Sequence, residues 1–334
     1  MSIEQSTIIK GVAILLMIFL HLFNRNITND CSPLFFIGNT PFVTILTRAC
    51  GPVPFFLIIS GYGLHYTYTK KGLSWNSQIR RILKLYVTYW LVLAIFVSIG
   101  SFVRPDKYPG TIQEALLNFT SWSNTYNTET WFLFPYTILA LFAVYIFKII
   151  NKLGNKMSFV LFFTIGFIAI YITSKYIAAN KSYDSVFAHI ITIANLSFSF
   201  ALGAILHRIA DKRSLDIEWL KSHQHLTLLF IIALVAIRCL TTVSAWQTFF
   251  ALIFILLFIQ LDLSPSIKTL LTKLGEYSMP MWMTHTFFSA YLFHSFIYGF
   301  QYPLLIYIIL VIISYSISIP IMMVSRKIIQ VARI

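Results

Sequence analysis

Charged side chains are scarce in this chain. Asp, Glu, Lys and Arg together make up only 11% of the 334 residues, whereas hydrophobic residues make up 58%. Soluble domains usually carry about 25% charged residues, and we find no long charged helix faces of the kind that a large soluble core needs. The composition therefore excludes a soluble globular protein and predicts an integral membrane protein.

Cysteines and linker segments are also few. The three cysteines, Cys31, Cys50 and Cys239, match no metal-site spacing and no disulfide framework. We find no low-complexity linker, no internal repeat and no small-x-small cleavage site before Asn24. We therefore expect residues 1–334 to form a single transmembrane domain without a separate soluble domain, and the first apolar segment to be retained as a span.

Apolar segments long enough to cross about 30 Å of hydrocarbon occur ten times. They lie near residues 8–24, 50–68, 82–103, 130–150, 158–178, 186–207, 226–245, 247–262, 278–298 and 303–325. The eighth is the shortest. This pattern predicts an all-α polytopic membrane protein with about ten transmembrane helices.

The basic residues are distributed unevenly between the two ends of these segments. The chain has 25 lysines and arginines against 11 acidic residues, a net charge of +14. With the N-terminus inside, eighteen basic residues flank inner ends of the spans, so the positive-inside rule predicts that both termini are cytoplasmic. The seven outer ones are Arg25, Arg48, Arg104, Lys107, Lys175, Lys181 and Arg238. Topology accounts for most of the positive charge, and we expect no nucleic-acid partner.

Lys10 and His21 are the only lysine and the only histidine in the first apolar segment. Eleven residues are close to three helical turns, so both side chains lie on nearly one face, roughly 16 Å apart along the axis. An ionisable residue in a membrane helix indicates a function by default. The pair therefore predicts a site that extends across much of the bilayer.

Two local backbone features are also predicted. Gly51, Pro52 and Pro54 break the helix before FFLIISGYG, and broken helix at membrane depth is tolerated where it is buried in protein or lines a cavity. The stretch TIQEALLNFTSW (111–122) has apolar residues at helical spacing, so we expect a helix that lies on or re-enters the outer surface.

Five short motifs occur in a fixed order along the chain. They are KGVAILLMIFLH (10–21), PFFLIISGYG (54–63), QIRRILKLYVTYW (78–90), ETWFLFPY (129–136) and LGEYSMPMWMTHTFF (274–288). This order resembles the acyltransferase-3 family of membrane-bound O-acyltransferases over about residues 8–325. Two positions depart from the family pattern: Val87, where proline is common, and Met281-Trp282-Met283, where Tyr-Leu is common.

The resemblance implies transfer of an acyl group, usually acetyl, from cytoplasmic acyl-CoA to a hydroxyl of a glycan at the outer face. We therefore expect acetyl-CoA as co-substrate, a cell-envelope or exported polysaccharide or lipid-linked glycan as acceptor, and a bacterial cytoplasmic membrane as the location. The resemblance makes His21 catalytic, since a sugar hydroxyl is a weak nucleophile that needs a base. His21 acts either as this base in direct transfer, which we slightly favour, or as an acyl carrier.

Further residues of the motifs are candidates for binding the acyl donor. Lys10, Arg80 and Arg81 are expected to meet the CoA phosphates at the inner surface, although ordinary positive-inside charge explains each of them as well. Ser60 and Gly61 form either a wall for the acyl chain or a packing contact between helices.

The residues that we place on the acceptor side, or in support of His21, are Arg48, Glu129, Trp131 and His285. Arg48 contacts the glycan or pairs with Glu129, and Trp131 stacks on a sugar or belongs to an interfacial aromatic belt. His285, placed about a third of the way out from the inner surface, orients substrate, relays a proton or is a core histidine. No motif assigns a role to His189, Arg238 or His294.

Two other functions stay open on the sequence alone. A transporter or flippase of a lipid-linked glycan would also use many spans and a broken helix, but secondary transporters usually show paired halves and we find none. An O-succinyltransferase of the same family is the other alternative, because the composition does not fix the acyl chain. Dependence on acyl-CoA separates both enzymes from the transporter.

Overall fold

A computed structural model describes residues 1–25, 27, 30–180 and 183–334, so the predicted outer lysine, Lys181, lies outside the described residues. The helices are α1 (Ile3–Phe23), α2 (Phe42–Leu46), α3 (Val53–Lys71), α4 (Trp75–Val103), α5 (Ile112–Phe119), α6 (Leu133–Leu141), α7 (Ala143–Ile172), α8 (Ala178–Asn180), α9 (Val186–Ala210), α10 (Glu218–Ser222), α11 (Gln224–Leu240), α12 (Gln247–Phe258), α13 (Pro265–Glu276), α14 (Ser278–Thr286), α15 (His294–Tyr298) and α16 (Pro303–Val331). Short 3₁₀ turns cover Thr47–Ala49, Thr128–Phe132 and Ser244–Trp246, and π-helical turns cover Thr173–Ile177 and Phe287–Tyr291. The predicted all-α class is confirmed, with one antiparallel pair of two-residue strands in the described part, β1 (Phe36–Ile37) and β2 (Thr40–Pro41).

Six helical segments of the described residues are long and apolar enough to cross a membrane, which indicates an integral membrane protein. They are Ile3–Phe23, Phe42–Lys71, Trp75–Val103, Ala143–Asn180, Val186–Ala210 and Pro303–Val331. The seventh and eighth predicted segments form the shorter apolar helices α11 and α12. The ninth is divided among α14, the following π turn and α15, so a continuous apolar run in the sequence does not form a single helix there.

Helix α7 consists of two limbs that meet at Gly154. This residue has φ 75° and ψ 175°, a backbone conformation that favours glycine. The Ser158 hydroxyl lies 3.5 Å from the carbonyl oxygen of Ile150, whereas eight residues of straight helix would separate them by about 12 Å. The chain therefore reverses at Gly154, in the gap between the fourth and fifth predicted segments.

Helices α3 and α9 are held in close contact by glycine. A Cβ atom added to Gly61 would lie 2.0 Å from the carbonyl oxygen of Phe200, and one added to Gly203 would lie 2.0 Å from that of Ile58. Small residues allow membrane helices to approach this closely. Of the two readings of Gly61, the structure therefore favours helix packing over a wall for the acyl chain.

We expect Gly61→Ala to lower the stability of the protein in detergent. The new methyl group has no room against the α9 backbone, and overpacking of this kind typically costs about 1–3 kcal/mol. The measurement is the thermal midpoint of unfolding, which is detected as the loss of the monodisperse size-exclusion peak on heating. Gly63→Ala is the matched control, because nothing lies within 4 Å of a Cβ there; equal midpoints for the two variants would contradict the packing role.

The predicted break before α3 and the predicted helix within residues 111–122 are both present, while the position of that helix at the outer surface stays a prediction. The 3₁₀ turn Thr47–Ala49 is followed by Gly51 and Pro52, and α3 begins only at Val53. Residues 112–119 form α5, whose first turn carries a capping box between Thr111 and Glu114. The three cysteines are free and buried.

Candidate functional site

His21 lies in the last turn of α1 and faces a cavity of about 260 Å³, which we call the His21 cavity. Its lining includes Met17, Pro52, Glu129, Trp131 and Trp282. The broken segment before α3 contributes Gly51 to Pro54 to the wall, as expected for irregular backbone at membrane depth. The His21 side chain is 17% exposed, so the imidazole can be reached from this space.

Both nitrogens of the His21 ring have partners. Nδ1 lies 2.7 Å from Nε2 of His285, and Nε2 lies 2.9 Å from a carboxylate oxygen of Glu129. The other nitrogen of His285, Nδ1, lies 3.1 Å from the carbonyl oxygen of Met281. His285 is completely buried. The hydrogen bonds of its two ring nitrogens therefore determine which of them carries hydrogen.

The partners determine which nitrogen of each ring carries hydrogen. A carbonyl oxygen only accepts, so Nδ1 of His285 must donate to Met281, and Nε2 of a neutral His285 is then an acceptor. Nδ1 of His21 must therefore donate to His285. Nε2 of His21 is the ring nitrogen on the Glu129 side of the ring.

Glu129 is the group that Nε2 of His21 faces. Burial raises the pKa of the Glu129 carboxyl, but the hydrogen bond and charge of His21, the charge of His285 and the hydrogen bond from Thr128 together lower that pKa below its usual range. The side chain therefore carries a negative charge beside Nε2 at neutral pH. Glu129 and His285 contact different nitrogens of the His21 ring, so the three side chains do not converge on one point. Among the described residues, no group of three His, Cys, Asp or Glu side chains could hold a metal ion.

The turn that carries Glu129 is fastened to α14, the helix that carries His285. The side chain of Asn127 accepts from the Glu129 N–H and donates to the carbonyl oxygen of Met283 at 2.9 Å. The indole of Trp282 donates to the carbonyl oxygen of Glu129 at 2.8 Å. Because these groups hold one another, the carboxylate and the buried imidazole keep fixed positions on either side of His21.

A second cavity of about 500 Å³, the Lys10 cavity, lies along α1 toward its N-terminal end. Lys10 and Arg81 both line it. Met17 and Trp282, together with Phe132, line this cavity and the His21 cavity alike. Lys10 and His21 therefore face two adjoining cavities on one face of α1, as their spacing predicts.

The other donor-side candidates occupy different places around the Lys10 cavity. Ser60 lines it, and its hydroxyl lies 2.9 Å from that of Tyr136. Arg80 is exposed and stands outside the lining. Gly61 faces α9. Of the basic pair on α4, the structure thus brings Arg81 alone to the cavity.

The structure separates two acceptor-side candidates that the sequence interpretation placed together. Arg48 donates to the carbonyl oxygen of Cys239 at 3.0 Å, near the end of α11, while Glu129 pairs with His21. Arg48 therefore anchors a helix end instead of pairing with Glu129. Trp131 is 39% exposed and lines the His21 cavity, where its ring is available to a ligand.

The predicted depth of His285 needs correction. The sequence interpretation placed His21 most of the way across the membrane and His285 about a third of the way out, yet the two imidazoles are in contact. Ser278, the first residue of α14, already lies beside Lys10 in the wall of the Lys10 cavity. The short helix α14 therefore runs alongside α1 and brings His285 to the level of His21.

The histidines and the arginine that no motif supports have partners outside the linings of the His21 and Lys10 cavities. Arg238 donates to the carbonyl oxygen of Thr241 at the end of α11, and His294 lies 3.0 Å from Arg25. His207 is buried in α9 and lies 2.9 Å from His65.

Three contributors to the site were missed in the sequence: Asn127, Trp282 as a hydrogen-bond donor, and Tyr291, whose hydroxyl bonds Thr128 at 2.6 Å. Asparagine before a short helical turn is a capping signal, so Asn127 offered a clue to the turn. Nothing local indicated that its side chain reaches Met283, which is 156 residues away.

Comparison with known proteins assigns the chain to one family. A sequence model of the acyltransferase-3 family, described as an acyltransferase domain, matches residues 3–323. No curated protein and no solved structure matches the chain. The matched region contains both cavities, His21, Glu129 and His285. Because the match covers nearly the whole chain, this protein belongs to the acyltransferase-3 family.

Proposed function

We propose that this protein transfers an acyl group, usually acetyl, from cytoplasmic acyl-CoA to a hydroxyl of a cell-envelope or exported glycan. The observation that carries the proposal is the placement of His21: its base nitrogen faces a cavity, and its other nitrogen is tied to the buried His285. Membership of the acyltransferase-3 family supports the reaction class.

The two cavities suit opposite sides of a bilayer. With both termini in the cytoplasm and about ten spans, as the positive-inside rule favours, the Lys10 cavity opens toward the inner surface and the His21 cavity toward the outer one. The location that we propose is the bacterial cytoplasmic membrane. The acyl donor then enters from one side and the glycan from the other.

The Lys10 cavity offers the chemistry that CoA requires. Lys10 and Arg81 provide cationic groups for its phosphates, and the largely apolar wall beyond them accommodates the pantetheine arm and the acyl chain. Lys10 and His21 are roughly 16 Å apart along α1. The thioester is thereby delivered where the two cavities meet, at Met17 and Trp282.

Direct transfer uses His21 as a general base. Nε2 of His21 takes the proton of the acceptor hydroxyl while that oxygen attacks the thioester carbonyl carbon. The C–O bond of the ester forms and the C–S bond to CoA breaks. The imidazolium returns the proton to the departing thiolate, which leaves as free CoA thiol.

Glu129 and His285 support this step from the two sides of the ring. In the absence of substrate the Glu129 carboxylate faces the Nε2–H of His21. That proton must leave, and the acceptor hydroxyl must take the place of the carboxylate, before Nε2 can act as a base. The carboxylate stays close enough to stabilise the imidazolium that forms, while His285 keeps hydrogen on Nδ1. A two-step route, in which Nε2 first takes the acyl group, uses the same atoms; labelled acyl-enzyme trapped without acceptor would favour it over direct transfer.

The test of the proposed function is transfer of labelled acetyl to glycan. Proteoliposomes with the wild-type protein receive [¹⁴C]acetyl-CoA and envelope polysaccharide from the source strain, stripped of its esters by mild alkali. We expect label in the polysaccharide that mild alkali releases again. Label from succinyl-CoA alone would reassign the acyl group, and movement of glycan without any acyl-CoA would support a transporter instead.

We expect Arg81→Ala to raise the KM for acetyl-CoA by about tenfold, because a charged hydrogen bond to phosphate is worth about 1.5–3 kcal/mol. Lys10→Ala should act in the same direction. Arg80→Ala is the matched control, since Arg80 is the neighbouring arginine outside the cavity lining. Initial rates of CoA release against acetyl-CoA concentration measure the effect. Equal KM values for the two arginine variants would remove Arg81 from the donor site.

A further inference from the structure

A third cavity of about 300 Å³ adjoins the His21 cavity, and no motif or family assignment accounts for it. We call it the Trp122 cavity. Trp131 lines both cavities. Thr128, in the wall of the Trp122 cavity, directly precedes Glu129. A ligand that fills both cavities would pass over the Trp131 side chain, with one part of the ligand against His21.

The Trp122 cavity combines aromatic faces with a few polar groups. The Trp122 ring packs against His189 and Phe134, at centroid distances of 4.4 and 5.1 Å, and these two rings also contact each other. Tyr183 and Trp131 are 57% and 39% exposed, although both are large aromatic residues. Rigid aromatic walls with few polar groups are typical of small-molecule sites.

The polar groups of this cavity suit hydroxyls. Asp184 accepts a hydrogen bond from Ser123 at 3.0 Å and is itself exposed at the cavity. A carboxylate accepts hydrogen bonds only, so it pairs with hydroxyl donors and repels anionic groups. Asn124 and Thr192 add further polar side chains to the lining. Sugar rings present C–H faces to aromatic rings and hydroxyls at their edges, which is the complement of this wall.

We propose that the Trp122 cavity binds an uncharged sugar residue next to the one that is acylated, so that the acceptor is recognised over at least two sugar units. This inference rests on the proposed function. The acylated sugar lies at His21, and its neighbour lies beyond Trp131 against Trp122, Tyr183 and Asp184. His189, which no sequence motif explains, holds the Trp122 ring in place.

The test compares acceptors of different length in proteoliposomes with [¹⁴C]acetyl-CoA. The probes are single-sugar and longer fragments of the de-esterified envelope polysaccharide. We expect wild-type protein to show a KM for the longer fragments lower by about tenfold, the worth of one good charged hydrogen bond. Tyr183→Ala and Asp184→Asn should each raise the KM for the longer fragments by about that factor, with the loss in KM and not in kcat.

Matched controls are Tyr176→Ala and Asp106→Asn, at exposed positions outside the cavity lining, which should keep the advantage of the longer fragments. Folding of each variant is checked by its size-exclusion profile. Wild-type protein that uses single sugars and longer fragments equally well, or variants that keep the preference, would overturn the second subsite. Wild-type protein that labels no acceptor at all would instead overturn the proposed function, and the subsite with it.

Discussion

His21→Ala is expected to lower acyl transfer by at least about 10²-fold, the usual contribution of a general base. The variant lacks the nitrogen that takes the proton of the acceptor hydroxyl, while both cavities keep their other walls. The measurement is the initial rate of labelled acetyl incorporation into de-esterified polysaccharide. A histidine acting as acyl carrier would give an equal or larger loss, so the prediction holds for both routes.

His225→Ala is the matched control for this experiment, because His225 is an exposed histidine on α11, away from the cavities. It should keep the wild-type rate. Both variants should elute as wild type does on size exclusion, which separates lost chemistry from lost folding. A folded His21→Ala protein with a rate within a few-fold of wild type would remove His21 from the reaction.

His285→Leu is expected to lower kcat by roughly 10² to 10⁴-fold, the usual contribution of general-base catalysis, because the catalytic imidazole loses the partner that fixes its tautomer. Without an acceptor at Nδ1, the His21 hydrogen moves to Nε2, where the Glu129 carboxylate lies 2.9 Å away. Nε2 then has no lone pair with which to take the substrate proton. Because His285 itself lines neither cavity, the KM for acetyl-CoA should change little.

His285→Gln separates this positioning role from a merely structural one. The amide can still accept from His21 while filling most of the buried space, so it should recover part of the kcat that leucine loses. Steady-state kinetics with varied acetyl-CoA give kcat and KM for both variants. Equal kcat values for the two, or a change confined to KM, would contradict the assignment.

The helical class could be predicted from composition because it depends on local properties. Apolar segments, the break at Gly51 and Pro52, and the helical spacing in residues 111–122 each depend on nearby residues, and the structure has the corresponding features. The number of helices is harder to predict, because hydropathy does not show where a hydrophobic segment bends. The segment 278–298 is predicted to be one span, yet it divides at Thr286 and again before His294.

The individual residues of the candidate site could be proposed from the sequence, but the contacts between them could not. His21, Glu129 and His285 were all singled out, but 264 residues separate the two histidines and no local pattern encodes their contact. The same limit explains why the sequence suggested Glu129, and not Cys239, as the partner of Arg48. An arginine at depth needs an acceptor, and in the fold the carbonyl oxygen of Cys239 is the acceptor within reach.

Gly61 shows how one residue type serves two purposes that a sequence cannot separate. A glycine in a membrane helix allows close approach of either a ligand or another backbone. The choice depends on which helix lies opposite, and here α9 does. Ser60, one position earlier, faces the Lys10 cavity instead, because adjacent residues point about 100° apart around a helix.

The most direct test of the central claim is release of free CoA from acetyl-CoA by purified wild-type protein and by His21→Ala. The account predicts slow turnover by wild type and a loss of about 10²-fold or more in the variant, with matching size-exclusion profiles. If both proteins are folded, equally inert toward acetyl-CoA and unable to bind it, acetyl transfer through His21 is contradicted.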